Sequence, residues 1–132
     1  SKRAYEIKKY DEDECSINVI IKIIQSYIQL ENYEEARKYS KLALASSIKN
    51  KNKYFEYKAL KYYSQIYKKE ENIKMAIEYI LKCINIVNEL NDRKTLADLY
   101  IELGQLYTDI SKEKELEYYQ KGVCLYKNLE II

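Results

Sequence analysis

The chain has 132 residues, 47% hydrophobic and 33% charged, which fits one compact soluble domain and excludes a disordered chain. Its net charge of +2, with Lys and Glu interspersed, lacks the basic excess of a dedicated nucleic-acid binder. No apolar run approaches the ~20 residues that span a bilayer, and with no proline and only two glycines the chain reads as all-helical with polar turns.

The opening stretch, "SKRAYEIKKYDEDE" over 1–14, reads as the end of a helix or a cap. "SKRA" at 1–4 echoes "SKLA" at 40–43, so it is expected to be the second helix of a preceding, truncated repeat. The chain also lacks an initiating Met and is expected to be a piece of a longer protein. The acidic run Asp11–Glu14 suits the start of the helix that follows. A calcium site would need regularly spaced oxygen ligands and a turn glycine, and the run has neither.

Three copies of one pattern then follow at an offset of 40 residues, beginning at Ile17, Tyr57 and Ala97. They place repeats at 15–52, 53–92 and 93–132 of a single domain over 1–132. Each copy reads as two helices. The packing stripe of the first helix is Ile20, Ile23, Ile24 and Tyr27, then Leu60, Tyr63, Ser64 and Tyr67, then Tyr100, Leu103, Gly104 and Tyr107. The second-helix stripes are Ala36, Ala43 and Leu44, then Ala76, Ile80, Cys83 and Ile84. In the third copy an ungapped alignment gives Leu116, Val123 and Cys124, whereas deleting one loop residue gives Tyr119 and Gly122. Small residues mark close approach of antiparallel helices, and the tyrosines are expected to fill the groove between one pair and the next. Asp92 is a predicted N-cap.

The order of large residue, Leu-Gly or an equivalent, Tyr, aromatic or apolar residue, then two small residues resembles the tetratricopeptide repeat family. The first copy carries it as Ile20, Ile23-Ile24, Tyr27, Tyr33, Ala36 and Ala43. The second carries it as Leu60, Tyr63-Ser64, Tyr67, Ile73, Ala76 and Cys83. The resemblance implies a right-handed α-solenoid of antiparallel helix pairs, here three repeats plus an N-terminal helix remnant. The common form repeats at about 34 residues. The longer period is similar to that of bacterial peptide-pheromone-sensing regulators and of some eukaryotic scaffold proteins. Composition rich in Lys, Ile, Asn and Tyr points to an AT-rich bacterial genome.

Little in the chain points to catalysis. Histidine is absent, removing the commonest general base and metal ligand. No phosphate-binding glycine loop or nucleophile elbow occurs. No catalytic residue, metal or cofactor is expected. The three cysteines, Cys15, Cys83 and Cys124, have no CxxC spacing, which suits a reduced cytoplasmic protein. Cys83 and Cys124 read as small core residues, and Cys15 as an exposed residue ahead of the first helix.

What remains is the face that first helices present to a concave groove. "QSY", "QIY" and "QLY" recur at 25–27, 65–67 and 105–107. Each glutamine precedes its tyrosine by two residues, about 200° around a helix. Gln25, Gln65 and Gln105 therefore leave the packing stripe, and their amides can both donate to and accept from a peptide backbone. Lys58, Lys61 and Lys69 add positive charge, and Ile21, Tyr62 and Ile101 offer apolar contact. Related repeats that grip a C-terminal carboxylate use Lys and Asn where this chain has Lys61 and Gln65. The expected ligand face is Gln25, Lys58, Lys61, Tyr62, Gln65 and Gln105. The expected function is a protein- or peptide-binding module of a bacterial intracellular sensor or transcription regulator. The partner is a protein or peptide, with no nucleic acid or membrane contact by this segment. The alternative is a scaffold or self-association module, such as a homodimer formed through the last helix.

Overall fold

The computed structural model describes residues 2–129, with side chains from residue 16 onward. Among these residues there are six helices and no strand. They are α1 (Lys2–Gln29), α2 (Tyr33–Lys49), α3 (Lys53–Lys69), α4 (Ile73–Glu89), α5 (Arg93–Leu106) and α6 (Lys112–Asn128). The chain divides into two compact units, Ser1–Ala59 and Leu60–Ile132, with the division inside α3. α1 runs unbroken through Cys15, so that residue does not precede the first helix. The boundary expected after residue 14 falls within α1. The side chains of Asp11–Glu14 and of Cys15 lie outside the described residues.

In the first unit, α1 packs on α2. The buried stripe of α1 is Ile17, Ile21 and Ile24, spaced i, i+4, i+7. Ile21, expected on the groove, therefore belongs to the core. The buried face of α2 is all small: Ala36, Ser40, Ala43 and Ser47. Its two hydroxyls donate one turn back, Ser40 Oγ to Ala36 O at 2.9 Å and Ser47 Oγ to Ala43 O at 2.7 Å. No polar atom is left unsatisfied by their burial, and the helices can approach closely.

In the second unit, α4 packs on α5 and α5 on α6. Ser64 Oγ donates to Ala76 O at 2.7 Å, tying α3 to α4 where both residues are small. Ile66, Ile80, Cys83, Leu99 and Leu103 are fully buried. Each such aliphatic side chain contributes roughly 1.5–3 kcal/mol on leaving water. The predicted α4 stripe of Ala76, Ile80, Cys83 and Ile84 is buried throughout.

The turns explain how a chain so poor in glycine stops its helices. After α1, Asn32 N bonds Tyr27 O at 2.9 Å and Glu31 N bonds Ile28 O at 3.0 Å. This paired closure needs a left-handed residue, supplied by Glu31 at φ 60°. Lys51 and Glu71 repeat the arrangement, at φ 55° and 63°. The next residue caps the following helix. Asn32 Oδ1 accepts from Glu35 N, Asn52 Oδ1 from Phe55 N and Asn72 Oδ1 from Met75 N. Asp92 does the same for Thr95 N at 3.1 Å, as its position predicts.

After α5 the spacing from the tyrosine to the next cap is one residue shorter. Ser111 N bonds Tyr107 O at 2.9 Å, where Asn72 N reaches Tyr67 O across one more residue. Ser111 caps α6 through Lys114 N. The caps are thus 40 residues apart at 32 and 72, and 39 apart at 72 and 111. That single missing residue rotates α6 and decides its register. Leu116, Val123 and Cys124 are exposed, contrary to the ungapped alignment, and Gly122 is buried. Gly104 and Gly122 let α5 and α6 close on each other. A methyl on Gly122 would lie 2.7 Å from Ile101 Cγ1 and 3.1 Å from Ala97 O.

The tyrosines, expected between one pair and the next, stack within helix pairs. Tyr79 of α4 stacks between Tyr63 and Tyr67 of α3, with centroids 5.0 and 5.6 Å apart. Tyr118 of α6 stacks between Tyr100 and Tyr107 of α5, at 6.1 and 5.7 Å. Tyr39 stacks on Tyr27 at 5.8 Å. Lys82 Nζ caps the Tyr79 ring at 4.5 Å. Tyr27, Tyr67 and Tyr107 are half-buried, so the stack has a wet edge that suits their hydroxyls.

Candidate binding face on α3 and α5

The second unit places two polar stripes where their charges meet. Lys61, Gln65 and Lys68 lie at i, i+4, i+7 on α3, and Asp98, Glu102 and Gln105 do so on α5. Lys61, Gln65 and Glu102 are half-buried, whereas Lys68, Asp98 and Gln105 are exposed. Burial pushes the Glu102 carboxyl above the usual carboxylate range; the charges of Lys61 and Lys68 oppose that shift and Asp98 adds to it. The two helices therefore bring opposite charges together at the edge of the core. Lys68, passed over in the sequence reading, belongs to this group.

Beneath the group lies Cys83, wholly buried in α4. Burial first, then the Glu102 charge, pushes its thiol up to about 12, with Lys61 acting against them. At neutral pH it is a protonated packing residue, not a nucleophile. Asp98 is held from two sides. The Tyr126 hydroxyl donates to its Oδ1, and Lys94 Nζ lies 3.6 Å from its Oδ2.

The other anticipated residues take separate positions. Tyr62 is half-buried on α3, beside Lys61 in sequence. Gln25 is exposed on α1 in the first unit. Lys58 is half-buried, and its Nζ sits 4.8 Å above the Tyr54 ring. That cation–π contact holds the ammonium against its own helix. Among the described residues no group of three His, Cys, Asp or Glu side chains could hold a metal ion, and no helix is long and apolar enough to cross a membrane.

No protein-family profile matches the sequence, and no curated protein matches it. Solved structures do. The chain superposes on the tetratricopeptide-repeat domain of Arabidopsis FLU with a TM-score of 0.77 at 17% identity, covering 88% of this chain and 98% of that one. The fold is that of the tetratricopeptide helical repeat. A signal-transduction ATPase with numerous domains and a tetratricopeptide-repeat sensor, from Pyrococcus horikoshii, matches at TM-score 0.82 and 22% identity over 90% of this chain. BtubC from P. vanneervenii matches at 0.76 and 16% over 88%. The chain spans 19% of the ATPase and 48% of BtubC, so the likeness concerns the repeat and not the whole of either protein. Within the second pair, Ser64 of α3 and Ala76 of α4 make their small-residue contact through a hydrogen bond.

Proposed function

We propose that this chain is a protein- or peptide-binding module whose ligand lies extended along α3 and α5. Half-buried Lys61 and Glu102, within electrostatic reach of each other from neighbouring helices, carry the reading. Partly desolvated charges of opposite sign orient a peptide backbone and select its side chains better than a fully wet face does. Gln65 and Gln105 flank them with amides that both donate and accept. Tyr62 supplies apolar contact and Lys68 a second positive charge. Gln25, at the same register position in the first repeat, and Lys58, three residues before Lys61 in sequence, are assigned as ligand contacts of their own unit.

The module serves a bacterial intracellular sensor or regulator on this reading. The 40-residue period supports it, as does the use of such a repeat as the sensor of the Pyrococcus horikoshii ATPase. No step of catalysis is assigned to it.

Titration with a displayed peptide library tests the proposal. Lys61→Glu and Gln65→Ala should each weaken a selected peptide by about tenfold, the effect of losing one charged or amide contact. Binding untouched by both changes removes this face from consideration.

A further inference from the structure

We propose that the peptide lying along α3 and α5 carries an acidic and a basic side chain two residues apart, the acid set against Lys61 and the base against Glu102. The inference rests on the ligand reading of that face and names the chemistry of its partner. Its ground is a pair of opposite charges that the fold brings close and leaves open. Among the described residues, ion pairs join neighbours one turn apart on a single helix, as Lys53 with Glu56 at 3.4 Å and Lys112 with Glu115 at 3.2 Å. Lys61, Lys68 and Glu102 enter none. The sequence explains why for the two half-buried ones. One turn from Lys61 on α3 stand Lys58 and Gln65, and one turn from Glu102 on α5 stand Asp98 and Gln105. Each therefore meets a like charge or an amide on its own helix, and no opposite charge. Each finds its opposite across the face instead, where Lys61 and Glu102 act on each other and both act on Cys83 beneath.

Half-buried Lys61 and Glu102 are solvated less fully than exposed Lys68, so a ligand group of opposite sign gains more against them. Asp98 is exposed and already held by the Tyr126 hydroxyl and by Lys94, which leaves Glu102 as the acid for a ligand. A peptide acidic at both positions would set a carboxylate against Glu102. One basic at both would set an ammonium against Lys61. Like charges so placed repel, and a peptide with one of each meets neither penalty. An extended chain turns residues i and i+2 to the same side, about 7 Å apart. That reach suits two charges that act on each other without touching.

Panning a displayed library of random linear peptides against the 132-residue chain, followed by titration of one enriched peptide, tests this. Enriched sequences should carry Asp or Glu two residues from Lys or Arg. Changing the acid of that peptide to Lys should weaken binding to the parent by roughly tenfold or more, and Lys61→Glu should restore it. Changing its base to Glu should weaken binding likewise, and Glu102→Lys should restore it. A residue that only supports the fold gives no such exchange. Where either reversal loses the parent's helical circular dichroism, Lys61→Gln or Glu102→Gln serves, and the matching peptide change should then lose most of its effect. Peptides that are weakened by Gln65→Ala, yet carry no such pair or show no exchange, overturn this proposal and leave the ligand face standing. Enriched peptides indifferent to both Lys61→Glu and Gln65→Ala overturn the ligand face itself, and this proposal with it. So does a library that yields no binder.

Discussion

Gly104 and Tyr119 meet so closely that a methyl on Gly104 would lie 2.6 Å from Tyr119 Cδ1 and 3.1 Å from Glu115 O. The contact fixes α6 against α5 and places Tyr119 where the second repeat has Ile80. Alanine is the better helix former by about 1 kcal/mol. Gly104→Ala should nonetheless destabilise the chain by ~1–3 kcal/mol, since ring and backbone must both yield. Urea unfolding measures it, and adding Tyr119→Leu should recover part of the loss.

Glu71 stands at φ 63°, where a side chain meets its own backbone. Glycine carries no such penalty, so Glu71→Gly should raise stability by ~0.5–1 kcal/mol. Glu70→Gly, one residue earlier and without positive φ, should not. Thermal unfolding of the two variants side by side separates turn geometry from loss of a charge.

Cys124 is exposed and Cys83 is buried with its thiol pushed up to about 12. Maleimide should modify Cys124 in the folded protein and reach Cys83 only after denaturant is added. Peptide mass mapping reads the order. Equal labelling of both in the folded state would contradict the placement of α4.

Because burial raises the Glu102 pKa, the folded state holds that proton more tightly than the unfolded chain does. The sign follows from linkage: its carboxylate is unfavourable above the raised pKa, and that penalty disappears as pH falls below the ordinary carboxylate range. Glu102→Gln, neutral at every pH, should therefore be more stable than the parent at pH 8. The gain should be below about 1 kcal/mol, because Lys61 and Lys68 offset the burial and the group is part-wet. Melting curves at pH 8 and pH 4 should show the advantage shrinking.

Much of this architecture is written in the sequence. Ala36, Ala43, Ala76 and Cys83 are small at helical spacing, and the fold uses each of them in the core. Asp92 caps its helix as expected. The register of α6 was not legible in an ungapped alignment, because one residue lost from the 107–111 turn turns Leu116 and Val123 outward. Gly122, small where Ala43 and Cys83 are small, was the signal that could have decided it. The recurrence of Tyr39, Tyr79 and Tyr118 also went unread, since a half-buried aromatic leaves no apolar stripe. The grouping of Lys61 and Lys68 with Glu102 depends on how α3 sits beside α5, which periodicity within one helix does not encode.

On the proposed function, a peptide occupies the Lys61–Gln65 and Glu102–Gln105 stripes. Amide chemical-shift mapping of the isotope-labelled chain, titrated with a peptide selected from a library, tests it most directly. The expected result is a set of shifts concentrated on residues 61–68 and 98–105 and strongly reduced in Lys61→Glu. Shifts confined to α6 or α1, or a pattern indifferent to Lys61→Glu, would contradict it.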